Sequence, residues 1–285
     1  MGFLSLLAES PALSVGLALA VGLAIGSFLN VVILRVPRMM ENEWNQQAAE
    51  VRGEPAPDLA TFNLVTPRSQ CPSCGHQITA LENVPVLSWL FLRGRCSGCG
   101  TRISARYPMV ELATGLLSAV AVWRFGVTAV GLGALLLTFT LIVLTFIDFD
   151  TQLLPDDITL SLLWLGLLFN LWGVFAPLQD AVIGAIAGYL LLWSVYWLFK
   201  LATGREGMGY GDFKLLAALG AWFGWQALPA IILLASVVGA AVGIALIVLR
   251  RHGREVPIPF GPYLAGAGLL TLYFGAPLSA FFGIA

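Results

Sequence analysis

Residues 125–148 read FGVTAVGLGALLLTFTLIVLTFID: twenty-three uncharged residues, Phe125 to Ile147, that end on the carboxylate of Asp148. A helix needs about 20 apolar residues to cross a hydrocarbon core roughly 30 Å thick. The stretch therefore predicts a membrane helix with an acid at its end. Working outward, similar apolar runs occur at Leu13 to Val36, Pro108 to Trp123, Val127 to Ile147, Ile158 to Phe175, Ala181 to Phe199, Leu228 to Leu249 and Phe260 to Phe282. The uncharged stretch from Leu215 to Leu249 would be about 50 Å long as a single helix, more than one crossing requires. Gly224, Trp225, Gln226 and Pro229 in its middle predict a hairpin and so an eighth span. The expected fold is an all-α polytopic membrane protein of about eight transmembrane helices with a small loop domain that carries all four cysteines.

Composition agrees with this class. Of 285 residues, 58% are hydrophobic and 11% charged, against about 25% charged in soluble domains. The formal net charge of -1 predicts no nucleic-acid partner; the predicted partner is the lipid bilayer. Eight of the fifteen basic residues lie between Arg35 and Arg106, and further clusters are Lys200, Arg205 and Lys214, then Arg250, Arg251 and Arg254. Basic loops favour the cytoplasmic side, so the chain between the last two clusters crosses an even number of times. With eight spans, the Arg35 to Arg106 loop and the segments around Asp148 and Asp212 face the cytoplasm, and both termini face the other side. No Lys or Arg precedes the first run, which reads as a retained helix rather than a cleaved signal. Residues 1–36 then form the first transmembrane helix, 37–107 the loop domain and 108–285 a membrane-embedded core of about seven helices. Within the loop, Glu41 to Pro57 reads as a flexible connector. Gly22 and Gly26, and Gly239 and Gly243, have the spacing that permits close helix approach, favouring packing within one bundle.

Cys71-Pro-Ser-Cys74-Gly and Cys96-Ser-Gly-Cys99-Gly lie 21 residues apart. Two such knuckles place four thiolates around one structural Zn²⁺, with Gly75 and Gly100 allowing tight turns. A cytoplasmic location argues against the rival reading of two disulfides. Four sulfur ligands close the site, leaving His76 as a loop histidine.

Asp148 lies at a membrane helix end, where an acid is a functional candidate. Asp150 reads as a solvated boundary acid, and Asp156 or Asp157 as the N-cap of the next helix. The second such acid is Asp212, preceded by the alternating glycines Gly207, Gly209 and Gly211. Glycines there allow close backbone approach. Two carboxyls brought together from separate helices tend to share one proton. That is the arrangement of an aspartic protease, in which one deprotonates water and the other protonates the developing oxyanion and the leaving amine.

These residues resemble the bacterial type IV prepilin peptidases, bifunctional leader peptidase and N-methyltransferase enzymes of the GxGD aspartic protease type. The resemblance rests on Ile147-Asp148 with Pro155-Asp156, on Gly209-Tyr210-Gly211-Asp212-Phe213-Lys214 and on the cysteine tetrad. It extends to Gly26-Ser27-Phe28-Leu29-Asn30-Val31, Arg106-Tyr107-Pro108-Met109-Val110-Glu111 and Pro259-Phe260-Gly261-Pro262-Tyr263. It implies that Asp148 and Asp212 are catalytic and that Cys71, Cys74, Cys96 and Cys99 hold zinc. It also implies cleavage of a basic leader from type IV prepilins and type II secretion pseudopilins at the cytoplasmic face of the bacterial inner membrane. Methylation of the new N-terminus by S-adenosyl-L-methionine would follow. Glu111 is a candidate base for methylation or a structural partner of Arg106 or Arg102, and Asn30 either contacts substrate or packs within the bundle. The contrasting reading is a proton-coupled membrane transporter with a regulatory zinc module. Against it, both acids map to one membrane face.

Overall fold

A computed structural model describes residues 10–55, 61–250 and 258–282. Among these the secondary structure is helical, with isolated bridges only at Gln70 with Gln77 and Arg95 with Arg102. The chain divides into two compact units, Met1–Val127 and Thr128–Ala285.

The first unit contains α1 (Pro11–Arg52), the short α2 (Leu87–Phe91) and α3 (Arg106–Phe125). Helices α1 and α3 pack through small residues. A Cβ on Gly26 would lie 2.7 Å from Glu111 Cα, and Gly22 meets the Ser118 side chain and the Gly115 backbone. The Gly22 and Gly26 face is thus used inside the chain. Helix α3 packs with α1, whereas the sequence grouped it with the helices that follow.

The expected connector from Glu41 is instead helical through Arg52, making α1 42 residues long. Glu, Gln, Ala and Arg are strong helix formers, so polarity here marks a solvated helix surface. Gly53 ends the helix in the left-handed conformation (φ 68°), its N–H directed to Ala49 and Glu50 carbonyls. At about 63 Å, α1 is some twice the hydrocarbon thickness. Pro57 of the expected connector lies outside the described residues, as do Arg251 and Arg254 of the last basic cluster.

The second unit contains α4 (Ala129–Thr151), α5 (Asp156–Asn170), α6 (Leu178–Thr203), α7 (Tyr210–Phe223), a 3₁₀ turn (Trp225–Ala227), α8 (Leu228–Arg250) and α9 (Gly261–Phe282). Helix α7 is its core: Leu215, Leu216, Leu219 and Trp222 are fully buried. Helices α5 and α6 pack on α7, while α9 packs on α4, α7 and α8. The α6 and α7 backbones touch, because a Cβ on Gly188 would lie 2.7 Å from Leu216 O, and Gly184 and Gly220 oppose each other more closely still. Gly224 (φ 80°) ends α7 and turns the chain into α8, at the place where the hairpin was predicted.

Five helices among the described residues are long and apolar enough to cross a membrane: α1, α3, α4, α6 and the Trp225–Leu246 stretch. The expectation of about eight crossings is met to that extent. Helices α5 and α7 have 15 and 14 residues, short of the roughly 20 that one crossing takes. Helix α5 stops at Asn170 rather than Phe175 because that side chain is used as a staple. Its Nδ2 donates to Ala221 O and Trp222 O at 2.8 and 3.0 Å, and its Oδ1 accepts from the Phe175 and Ala176 N–H groups. Trp222 Nε1 donates to Leu162 O at 2.8 Å, and its ring stacks near Phe169 and Phe175.

Leaving one buried polar group unpaired costs about 1–3 kcal/mol. Asn170→Leu orphans several at once, and we expect it to destabilise the protein by about 3 kcal/mol or more. A clear drop in thermal unfolding temperature in detergent would register this; an unchanged midpoint would refute the staple.

Candidate functional site

Asp148 lies in the last full turn of α4, and Asp212 in the first turn of α7, where Gly209 is the N-cap. Both are buried, at 4% and 6% exposure. Leu154 links their surroundings, lying against Gly211 beside Asp212 and against Gly261, which also touches Asp148. Among the described residues, Asp148 Oδ2 and Asp212 Oδ1 are the buried side-chain oxygens with no hydrogen-bond partner. Buried polar atoms are nearly always satisfied, so two orphaned carboxyl oxygens call for a ligand or for chemistry.

Close packing creates this pocket for charge. A Cβ on Gly211 would lie 2.6 Å from Leu154 Cβ in the α4 to α5 connection, and one on Gly207 would meet the Phe199 ring at 2.9 Å. Gly209 has open space, so steric need falls on Gly207 and Gly211. Gly261, which opens α9, lies against the acid: its Cβ would stand 2.6 Å from Asp148 Oδ2. Gly261 belongs to the Pro259 to Tyr263 motif, so the start of α9 is in contact with Asp148.

Polar and aromatic contacts hold the start of α7. Lys214 Nζ meets the two oxygens of Asp156 at 2.5 and 2.6 Å, tying α7 to the first turn of α5. Asp156 is therefore an ion-pair partner rather than an N-cap; Pro155 holds the cap position and Asp157 follows in the first turn. Tyr210 and Phe213 pack on Tyr196 of α6 with ring centroids 5.2 and 5.7 Å apart. Tyr196 went unnoticed in the sequence, where it is one aromatic residue among many in an apolar run. Asp150 is exposed at the end of α4.

The cysteines form a second site. The Sγ atoms of Cys71, Cys74, Cys96 and Cys99 lie within 4.8 Å of one another, with Cys71 to Cys99 at 3.8 Å and Cys74 to Cys96 at 3.9 Å. Tetrahedral zinc with bonds of about 2.3 Å requires sulfurs about 3.8 Å apart, so the donor set fits one such ion. The two knuckles share one geometry. Gly75 N–H donates to Cys71 O and Gly100 N–H to Cys96 O, each at 2.9 Å, and both glycines have φ near 70° (71° and 72°).

A polar clamp joins the knuckles. His76 Nε2 lies 3.1 Å from Glu82 Oε1 and 3.1 Å from Ser97 Oγ, and the Ser97 hydroxyl donates to Glu82. Glu82 also accepts from Thr79 N–H and Oγ1 at 2.8 and 2.9 Å. The Ser97 hydroxyl, then Thr79 and His76, hold the Glu82 carboxyl down to about 2. Because the folded value lies below the ordinary one, the clamp's contribution is present above the ordinary carboxylate range and fades as pH falls towards 2.

The remaining sequence candidates have packing partners. Asn30 Nδ2 donates to Gly26 O at 3.3 Å and Tyr107 O at 3.1 Å, joining α1 to the start of α3. Glu111 Oε2 accepts from the Val86 N–H at 2.7 Å.

Comparison with known proteins identifies the family. Residues 20–125 match the bacterial peptidase A24 N-terminal domain, and residues 135–244 match the type IV leader peptidase family. A prepilin leader peptidase/N-methyltransferase of Aeromonas salmonicida is 58% identical over 275 residues, 95% of this chain and 94% of the relative. One from Pseudomonas aeruginosa is 55% identical over 276 residues, 96% of this chain and 95% of the relative. The chain belongs to the type IV leader peptidase family. No solved structure matches it.

In this leader peptidase family member, the clamp predicts how tightly a metal is kept. Loss of a supporting partner around a metal site typically costs about 10–100-fold in affinity, so once zinc is loaded on the four cysteines, Glu82→Ala should release it to a chelator about tenfold more readily. Equal release from Glu82→Ala and the parent protein, followed with a chromogenic chelator, would refute the clamp.

Proposed function

We propose that this protein removes the basic leader from type IV prepilins and type II secretion pseudopilins and then methylates the exposed N-terminus. The observation that carries the peptidase half is the pair of buried carboxyls on α4 and α7, each with an unpartnered oxygen. One carboxyl, ionised, takes a proton from a water that attacks the scissile carbonyl. The other, protonated, donates to the developing oxyanion. As the gem-diol collapses, the carboxyl that took the water proton gives it to the leaving amine, the carbon–nitrogen bond breaks, and the other carboxylate takes back the hydroxyl proton. Each aspartate needs an oxygen free for this exchange, and a site saturated with internal hydrogen bonds would have none.

The basic clusters support a position in the bacterial inner membrane with the loop and aspartates towards the cytoplasm and both termini towards the periplasm. That orientation suits a basic leader, which stays on the cytoplasmic side. The four cysteines would hold one structural zinc; thiolates fill its coordination sphere, so its contribution is to fold the loop rather than to activate water. S-adenosyl-L-methionine, when bound, supplies an electrophilic methyl group to the amine exposed by cleavage. We assign Glu111 and Asn30 to structure, because their polar atoms already hold backbone groups of neighbouring segments. Family membership favours this enzyme over the proton-coupled transporter.

Asp148→Asn or Asp212→Asn should each lower cleavage of a purified prepilin by at least about a hundredfold, with thermal unfolding no worse than in the parent. Normal processing by either variant would end the assignment. Incubating the parent protein with prepilin and a labelled methyl donor, then sequencing the product by mass spectrometry, should show a shortened chain with a methylated amine. A shortened, unmethylated product would refute the second activity alone.

A further inference from the structure

Asn83 to Leu92, in the second half of the cysteine-bearing loop, is ten residues without a charge, and it is bounded by Glu82 and Arg93. Uncharged apolar segments of this length are too short to span a bilayer and are characteristic of re-entrant or interfacial elements. The structure does not bury this one. Leu87, Leu90 and Phe91 are exposed, Leu90 at 57% and Phe91 at 84%.

Its neighbours mark its depth. Val84 to Leu87 border an apolar cavity of about 350 Å³ together with Ala20 and Leu23 of α1 and Leu112 of α3. Leu23 precedes Arg35, the basic end of the first apolar run, by twelve residues, about 18 Å along the helix. Leu112 follows Arg106 by six residues, about 9 Å. Both positions belong to helices long and apolar enough to cross a membrane. The loop therefore reaches along the sides of α1 and α3, past their charged ends. Its outward residues continue the exposed apolar face of α3 formed by Met109, Leu112 and Leu116.

Hydrogen bonding fits the same environment. Non-helical backbone at membrane depth needs every polar group satisfied by protein. Val86 has φ 61° and ψ -48°, a strained state for a β-branched residue, with Leu87 N–H bonded back to Pro85 O. The Val86 N–H is taken by the buried Glu111 carboxylate at 2.7 Å. Pro85 has no N–H; those of Leu87, Ser88, Leu90 and Leu92 find carbonyl acceptors within the segment, and that of Val84 bonds to Leu81 O just before it. Ser27 of α1 donates to the Asn83 side chain at 3.4 Å.

We infer that residues 83–92 enter the bilayer as a re-entrant segment, anchored by Glu111, with Leu87, Leu90 and Phe91 against lipid acyl chains. Arg93 and Arg95 follow directly and stand where lipid phosphates would lie. The cysteine loop is thereby fastened to the membrane at a third point, beyond its connections to α1 and α3. This placement is independent of which reaction the protein catalyses.

The test is photo-crosslinking of the full chain in nanodiscs of phosphatidylethanolamine and phosphatidylglycerol. A benzoylphenylalanine replaces Phe91 or Leu90, both exposed and tolerant of a larger ring, or Gln46 on the solvated end of α1 as control. Adducts are read by mass spectrometry, with and without added prepilin. The expected result is phospholipid adducts at Phe91 and Leu90 and none at Gln46, unchanged by prepilin. No lipid adduct at either loop position overturns the inference. Replacement of lipid adducts by prepilin adducts also overturns it, since the ridge would then be a substrate-docking face.

Discussion

The second unit depends on the contact between the α6 and α7 backbones. Gly184 against Gly220 and Gly188 against Leu216 leave no room for side chains between the helices. In a lipid environment there is little hydrophobic gain from moving one apolar helix onto another, so association rests on this close van der Waals fit. It lets a 14-residue helix, too short for an ordinary crossing, sit at the centre of the unit. Its carbonyls at Ala221 and Trp222 are satisfied by Asn170, and its other end presents Asp212. A larger residue at Gly184 or Gly220 would push α7 away and move Asp212 with it.

That fit explains why so many site features are glycines. Gly211 admits the Leu154 side chain, and Gly261 admits the Asp148 carboxylate. Neither needs an unusual backbone conformation; both lie outside the positive-φ set. The α9 contact is the less obvious one, since α9 packs on both α4 and α7 and so bridges the two aspartate-bearing helices. Fixing two acids from different helices at a set separation takes a third element touching both, and the Pro259 to Tyr263 motif starts that element.

The membrane class, the cysteine geometry and the aspartates were legible because each leaves a local signature: length of apolar run, paired spacing, and a lone acid after uncharged residues. The helical continuation of α1 to Arg52 was not, because its polarity is equally that of a linker and of a solvated helix. The extent of α5 was hidden for a different reason. Nothing near Asn170 in sequence distinguishes it, and its partners at Ala221 and Trp222 lie some fifty residues away. Gly261 and Tyr196 are likewise defined by what packs against them.

Acids offer the sharpest physical discrimination between structure and chemistry in this chain. Glu82 is held by His76, Thr79 and Ser97; Glu111 receives a backbone N–H; Asp156 pairs with Lys214; Asp180 accepts from Trp225 and Gln226. Each is explained by a group it satisfies. Asp148 and Asp212 are as deeply buried as any of these, yet each keeps an oxygen without a partner. Burying such an atom is unfavourable by about 1–3 kcal/mol, and a neutral side chain of the same size would avoid that cost. Two such oxygens on neighbouring helices are what the proposed cleavage chemistry would use.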